Sequence, residues 1–336
     1  MKIIPGPDAY GNLFHGVKQR TFRYPSKGEA GYLDGVLLPK LNPKFTIEPS
    51  EKIFTIGSCF AREIESRLVQ RGFDVPVSRF LNPEMLNEYN AGTILQRIES
   101  VFGMFAYEDG MGIEESEKGC VDLFLHIAQA PVPLDILLLR RRMIAEVYQE
   151  LLASHTVVIT LGLTETWFDT RYQCYVNKAP SRMTVNREPE RFQFHRMDVE
   201  DVTARISNAL SLISKHSQKK IILTVSPIPI EATFSESNAI VANSYSKAVL
   251  RVVAEKMSSD FGNVDYFPSF EMAPSAGTRY YQDDNVHVTT ELVDIITRHM
   301  LANYVPSQAA APAAEGAVTL NYIDGEAHNR LIGTVL

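Results

Sequence analysis

The stretch FTIGSCFAREIESRL, residues 54–68, passes from an apolar run through Gly57, Ser58 and Cys59 into a segment where Phe60, Ile64 and Leu68 recur four apart. The change from a continuous apolar run to one apolar face per helical turn predicts a strand, a tight turn and a helix with nothing between them. Ser58 then stands at or next to the helix N-cap. Three readings are open at this point. The hydroxyl caps the helix; or Ser58 is a nucleophile at a strand end, with the helix's free N–H groups and positive dipole end placed to hold an oxyanion; or it neighbours a reactive Cys59, whose thiol a helix N-terminus acidifies. As the first residue inside the helix, Cys59 is expected to turn toward the sheet as a small buried hydrophobe.

Downstream, short β-type runs alternate with longer helical ones. Strands are predicted at 52–56, 73–77, 156–161, 220–225 and 264–267, and helices at 59–71, 92–104, 135–154, 200–216, 237–258 and 289–304. Strands that read as almost continuous apolar runs between helices predict an α/β fold, a five-stranded parallel sheet with helices on both faces. Residues 1–50 read as an extended arm packed on the domain, 51–305 as the α/β domain with insertions at 106–134 and 168–199, and 306–336 as an Ala/Pro linker and tail.

In such sheets the chemistry gathers at the carboxyl ends of the strands. Gly92, in the loop after the second predicted strand, is either a turn glycine or a backbone N–H donor to the same small volume as Ser58. The third strand leads to Gly162, Leu163, Thr164, Glu165, Thr166 and Trp167, with Trp167 a core residue or a wall for a sugar face. Glu165 pairs with a base or is a solvated charge, and Asn177 offers a side-chain amide from the adjacent loop. Ser226, after the fourth strand, is a weaker nucleophile candidate because no helix starts directly behind it. Before the last helix comes YYQDDNVH, residues 280–287. Asp284 and His287 lie three apart, the spacing at which a carboxylate fixes an imidazole tautomer and frees the other nitrogen to take a proton from a hydroxyl. Trp167, Tyr172, Tyr175, Tyr280 and Tyr281 form the predicted substrate rim. A divalent ion on Asp283, Asp284 and His287 lacks a second cluster to complete its ligands, so neither metal nor cofactor is expected.

Composition narrows the classes. The 336 residues are 45% hydrophobic and 22% charged, an ordinary globular balance, and the net charge of -7 is spread without a basic block, which argues against a nucleic-acid surface. No run approaches the ~20 apolar residues of a membrane span. Pro5 and Gly6 break the first apolar run, unlike a signal peptide, and three dispersed cysteines fit a reducing compartment, so a cytoplasmic protein is expected. A homo-oligomer is compatible with all of this.

The string Gly57-Ser58-Cys59-Phe60-Ala61 resembles the signature of the GSCFA family, itself similar to the SGNH, or GDSL-like, hydrolase superfamily. TLG at 160–162, TVSP at 224–227, Ser246-Lys247, YFPSFE at 266–271 and YYQDDNVH at 280–287 stand in the family's order. The resemblance implies a three-layer α/β/α sandwich of flavodoxin-like strand order, with Ser58, Asp284 and His287 as the catalytic set and Ser58 and Gly92 as backbone oxyanion donors. It departs at Gly162-Leu163-Thr164, where the superfamily has Gly-x-Asn. Asn177, or alternatively the Thr164 hydroxyl, is then expected to supply the third donor. The activity that the resemblance implies is that of a serine-dependent hydrolase or O-acyltransferase acting on small-molecule or glycan acyl esters, acetyl groups on a carbohydrate above all. The rival from another class is a non-catalytic glycan-binding module on the same fold.

Overall fold

A computed structural model describes residues 1–15, 19–20, 23–127 and 130–306. Most of the tail read from the sequence, residues 307–336, lies outside the described residues. Four strands form the central sheet: β1 (Ile53–Gly57), β2 (Thr156–Leu161), β3 (Lys220–Val225) and β4 (Val264–Phe267). All neighbours are parallel and the order is β4-β3-β2-β1. Successive side chains point to opposite faces. Phe54, Ile56, Val157, Ile159, Leu161, Ile221, Leu223 and Val225 therefore enter one core. Ile53, Val158 and Ile222 enter the other.

Helices α1 (Cys59–Gln70) and α6 (Thr290–Tyr304) cover the second face, burying Phe60, Ile64, Leu68, Leu292 and Ile296. On the first face lie α2 (Ala91–Val101), α3 (Leu134–Ala153), α4 (Val199–His216) and α5 (Ala239–Asp260). This is the expected α/β/α layering with one strand fewer. The predicted strand at 73–77 does not form. Pro76 has no N–H to give a ladder and opens the 3-10 helix Pro76–Arg79 instead. The chain still runs beside β1, touching it as parallel bridges at Lys52↔Asp74 and Gly57↔Asn87.

The N-terminal segment is less extended than its composition suggests, with a helix at Gly6–Leu13 and a small hairpin of Tyr32–Leu33 with Val36–Leu37. Residues 34–47 are tied to the domain. Val36 and Ile47 are buried in the second core, the Ile47 N–H donates to the Tyr304 carbonyl at 2.7 Å, and Lys44 Nζ donates to the Val264 carbonyl at 2.6 Å.

The two insertions pack on each other. Met111, Leu123 and Phe124 from one join Cys174, Val176 and Phe192 from the other in a separate apolar cluster. The second belongs to a three-stranded antiparallel sheet whose central strand, Glu165–Asp169, starts just before it and lies between Cys174–Val176 and Phe192–Arg196. Among the described residues no helix is long and apolar enough to cross a membrane.

A buried ion pair locks the edge of β1. The Glu88 N–H donates to the Gly57 carbonyl at 2.8 Å, and its carboxylate accepts from Arg97 Nε at 2.7 Å with both side chains almost wholly enclosed. Burial pushes the Glu88 carboxyl up, against the pull of Arg97. Removing one partner of such a pair leaves an uncompensated charge and typically costs ~3–5 kcal/mol. Arg97→Met is therefore expected to lower the urea-unfolding free energy by about that amount; an unchanged midpoint would contradict the pair's role.

Candidate active site

Ser58 is built by the sharpest turn of the sheet. Gly57 has φ of +140°, and a side chain there would place its Cβ 2.2 Å from the Thr160 carbonyl oxygen, so only glycine fits between β1 and β2. One residue on, Ser58 has φ of -67° and ψ of 178° and stands as the N-cap of α1, yet its side chain makes no capping hydrogen bond. It is 2% exposed, and its hydroxyl is enclosed without a partner among the described residues. The capping reading thus loses its main support: the oxygen that should accept a helix N–H accepts none.

The surroundings are tight. At Gly162 a Cβ would lie 3.1 Å from Ser58 Cβ and 2.7 Å from the Tyr89 carbonyl oxygen. The Leu163 N–H donates to that same Tyr89 carbonyl at 2.9 Å. Cys59, half-buried, has its thiol pushed up by burial, with the hydrogen bond from the Tyr89 hydroxyl acting the other way. A thiol held in its protonated form is a poor nucleophile, which weakens the rival reading of this turn.

The Asp284 and His287 pair forms as expected. Asp284 Oδ2 lies 2.6 Å from His287 Nδ1, while Oδ1 accepts the N–H groups of Val286 at 2.9 Å and His287 at 3.0 Å. Those contacts leave His287 Nε2 as the free ring nitrogen. The pair lies at the carboxyl end of the sheet: the Tyr281 hydroxyl donates to the Pro227 carbonyl, two residues beyond β3, at 3.3 Å, and Tyr281 bridges Val288. Both side chains of the pair are about half exposed.

Several other predicted residues are held in place by contacts of their own. The Ser58 N–H donates to the Thr160 carbonyl at 3.2 Å, so it is not free for an oxyanion in this conformation. Asn177 is a structural hub: Nδ2 donates to the Glu88 carboxylate at 2.6 Å and the Phe124 carbonyl at 2.9 Å, and Oδ1 accepts from the Tyr89 N–H and the Thr93 hydroxyl. Gly92, in the first turn of α2, is pressed against the Tyr175 ring, where a Cβ would come within 2.4 Å. Thr164 is fully buried with its hydroxyl unpartnered, and its N–H donates to Ser246 Oγ at 2.9 Å. Tyr280 is a core residue rather than part of a rim: it is 1% exposed and its hydroxyl donates to the Asp34 carbonyl. Tyr281 packs against the same core. Ser226 Oγ accepts the Ile228 N–H at 3.3 Å, an ordinary turn contact.

Trp167 and Glu165 do line a cavity, of about 110 Å³, together with Tyr89, Leu163, Phe194 and Phe234. Trp167 meets Phe234 at 5.1 Å and Phe194 at 5.7 Å, steeply inclined to both. Glu165 accepts the Thr233 hydroxyl at 2.7 Å. Ser58 and His287 are not among the lining residues, but Tyr89 and Leu163 stand between the cavity and the Ser58 turn. Sequence reasoning assigns no role to Lys247, which is 2% exposed and donates to the Gly162 carbonyl at 2.7 Å. The signal is its position: on the face of α5 that also carries Ala242, Val249, Leu250 and Val253, a lysine interrupts an apolar stripe.

The family model of GSCFA matches residues 52–300. The chain belongs to the GSCFA family. No curated protein matches the sequence. Among solved structures, this GSCFA chain is similar to a mutant form of an acetyl-xylooligosaccharide esterase from Geobacillus, with 14% identity, 78% of this chain and 100% of the other covered, and a TM-score of 0.34. It is also similar to an acetyl xylan esterase at 10% identity, with 76% and 100% covered and a TM-score of 0.32. At such identities and scores these likenesses carry nothing about chemistry, which rests on the residues of the site.

Two hydrogen bonds from the backbone and one to His287 hold the Asp284 carboxyl well below the usual carboxylate range, at about 2 against 3.8, the His287 bond contributing most. A lowered acid pKa means the pair's contribution is fully present above about 3.8 and lost as pH falls through about 2. NMR titration of the Asp284 carboxyl is expected to give a midpoint near 2; an ordinary midpoint near 3.8 would mean the pair does not form in solution.

Proposed function

We propose that this GSCFA protein is a serine-dependent acyl-transfer enzyme that cleaves short acyl esters, acetyl esters of a carbohydrate being the preferred class. The observation that carries the reading is the Ser58 hydroxyl: enclosed, unpartnered and non-capping at the start of a helix. A polar group buried without a partner costs free energy, and a nucleophile awaiting a base and a substrate accounts for that cost where a cap does not.

In the proposed cycle, substrate binding uncovers Ser58 and brings it to His287. His287 Nε2 takes the Ser58 proton as Oγ bonds to the ester carbonyl carbon, and the carbonyl oxygen becomes an oxyanion. That intermediate collapses with loss of the alcohol, to which His287 returns the proton, leaving acyl-Ser58. Water, or a hydroxyl of an acceptor sugar, then repeats the sequence in reverse, giving an acid or a new ester. Asp284 keeps the imidazole in the tautomer this requires. The Cys59 N–H, the first of α1, serves the oxyanion together with the Gly92 N–H and the Thr164 hydroxyl. The Ser58 N–H and the Asn177 amide join only if their present bonds break.

The cavity beside the turn supports a small acyl or sugar group: it holds about 110 Å³, and the aromatic rings of Tyr89, Trp167, Phe194 and Phe234 share its walls with aliphatic and polar side chains. Ser58→Ala is expected to remain folded by circular dichroism and to lose at least ~10³-fold in turnover of p-nitrophenyl acetate. Wild-type turnover in that variant would sink the assignment.

A further inference from the structure

Lysine is almost never fully buried unless an acid pairs with it. Lys247 is 2% exposed, and among the described residues no carboxylate forms a salt bridge with it. Its amine donates to the Gly162 carbonyl at 2.7 Å. The residue before it, Ser246, is also fully buried and accepts the Thr164 N–H at 2.9 Å. Two consecutive residues of α5 thus clamp both ends of Gly162-Leu163-Thr164. Gly162 in that loop is packed directly on Ser58 and the Tyr89 carbonyl.

We propose that Lys247 is a positioning residue for Ser58: its buried amine fastens the Gly162 carbonyl, holding the loop that packs on the serine, and brings a positive charge to the back of the nucleophile turn. The proposal rests on Ser58 being the nucleophile. A simple carbonyl anchor does not require a charge, and burying one costs several kcal/mol, so an anchor alone leaves the choice of lysine unexplained. Fixed positive charge in a water-poor site lowers the energy of an adjacent oxyanion. Asn177, the other candidate donor, remains occupied with Glu88 and Phe124.

The groups facing the amine are few. The Cys59 thiol of α1 is the titratable group acting on it, and burial drives the amine down to about 7. The Cys59 thiol in turn feels the Tyr89 hydroxyl, Lys247 itself and Glu63. The positive charge is therefore present below about pH 7 and lost above it.

The test is the rate at which a fluorophosphonate probe labels Ser58, followed by peptide mass spectrometry across pH in the wild type, Lys247→Met and Ser58→Ala. We expect wild-type labelling at Ser58 to slow as pH rises beyond about 7. Lys247→Met should keep or raise the melting temperature, because a buried charge is replaced by an apolar side chain of similar length. It should label at least ~10-fold more slowly and without the decline at high pH. Labelling of Lys247→Met at the wild-type rate would overturn the proposal and leave the nucleophile reading standing. So would a wild-type rate that climbs to a plateau and holds it to about pH 9, a result that does not depend on the variant folding. A folded wild type with no label on Ser58 would overturn both.

Discussion

The site depends on how closely β1 and β2 approach at their carboxyl ends. At Gly57 and again at Gly162 there is no room for a side chain, because the Thr160 backbone, Ser58 Cβ and the Tyr89 carbonyl occupy the space. The contact forces the chain to leave β1 at a positive φ and enter α1 immediately, which places Ser58 at the junction of strand and helix. With the Ser58 N–H tied to the Thr160 carbonyl, the hydroxyl is set by the backbone rather than by a partner of its own. Everything else in the proposed chemistry is arranged around that fixed point.

Much of this is readable in the amino-acid order. The four strands of the sheet and its six flanking helices follow from their apolar periods, since strands buried on both faces and helices with one apolar stripe leave distinct spacings. The Asp284 and His287 pair is readable because its partners are three residues apart and the geometry is local. The fifth strand is a misreading: five residues of β-type composition outweigh Pro76 in the pattern, although a single missing N–H is enough to turn an edge segment into 3-10 helix. The N-terminal helix at Gly6–Leu13 is short and buries no residue, and its Pro and Gly read as turn signals, so the sequence pattern does not reveal it.

The roles of single polar side chains are less accessible. Asn177 reads as a free donor, but its amide is consumed by groups 53 to 90 positions away in the chain, and long-range partners leave no local trace. Tyr280 and Tyr281 look like a rim because they come after a strand end. Their hydroxyls instead bind the Asp34 and Pro227 carbonyls, fixing the segment that carries Asp284 and His287. These two tyrosines, expected to touch substrate, thus act one step back, as anchors of the loop that carries His287.

The central claim is that acyl groups pass through Ser58. It is tested most directly by quenching the enzyme in acid during turnover of p-nitrophenyl acetate and locating the acetyl group by tandem mass spectrometry of the peptide spanning α1. The account predicts a transient acetyl ester on Ser58. Acetylation confined to Cys59, or turnover with no acetyl group on Ser58 at any quench time, would contradict it.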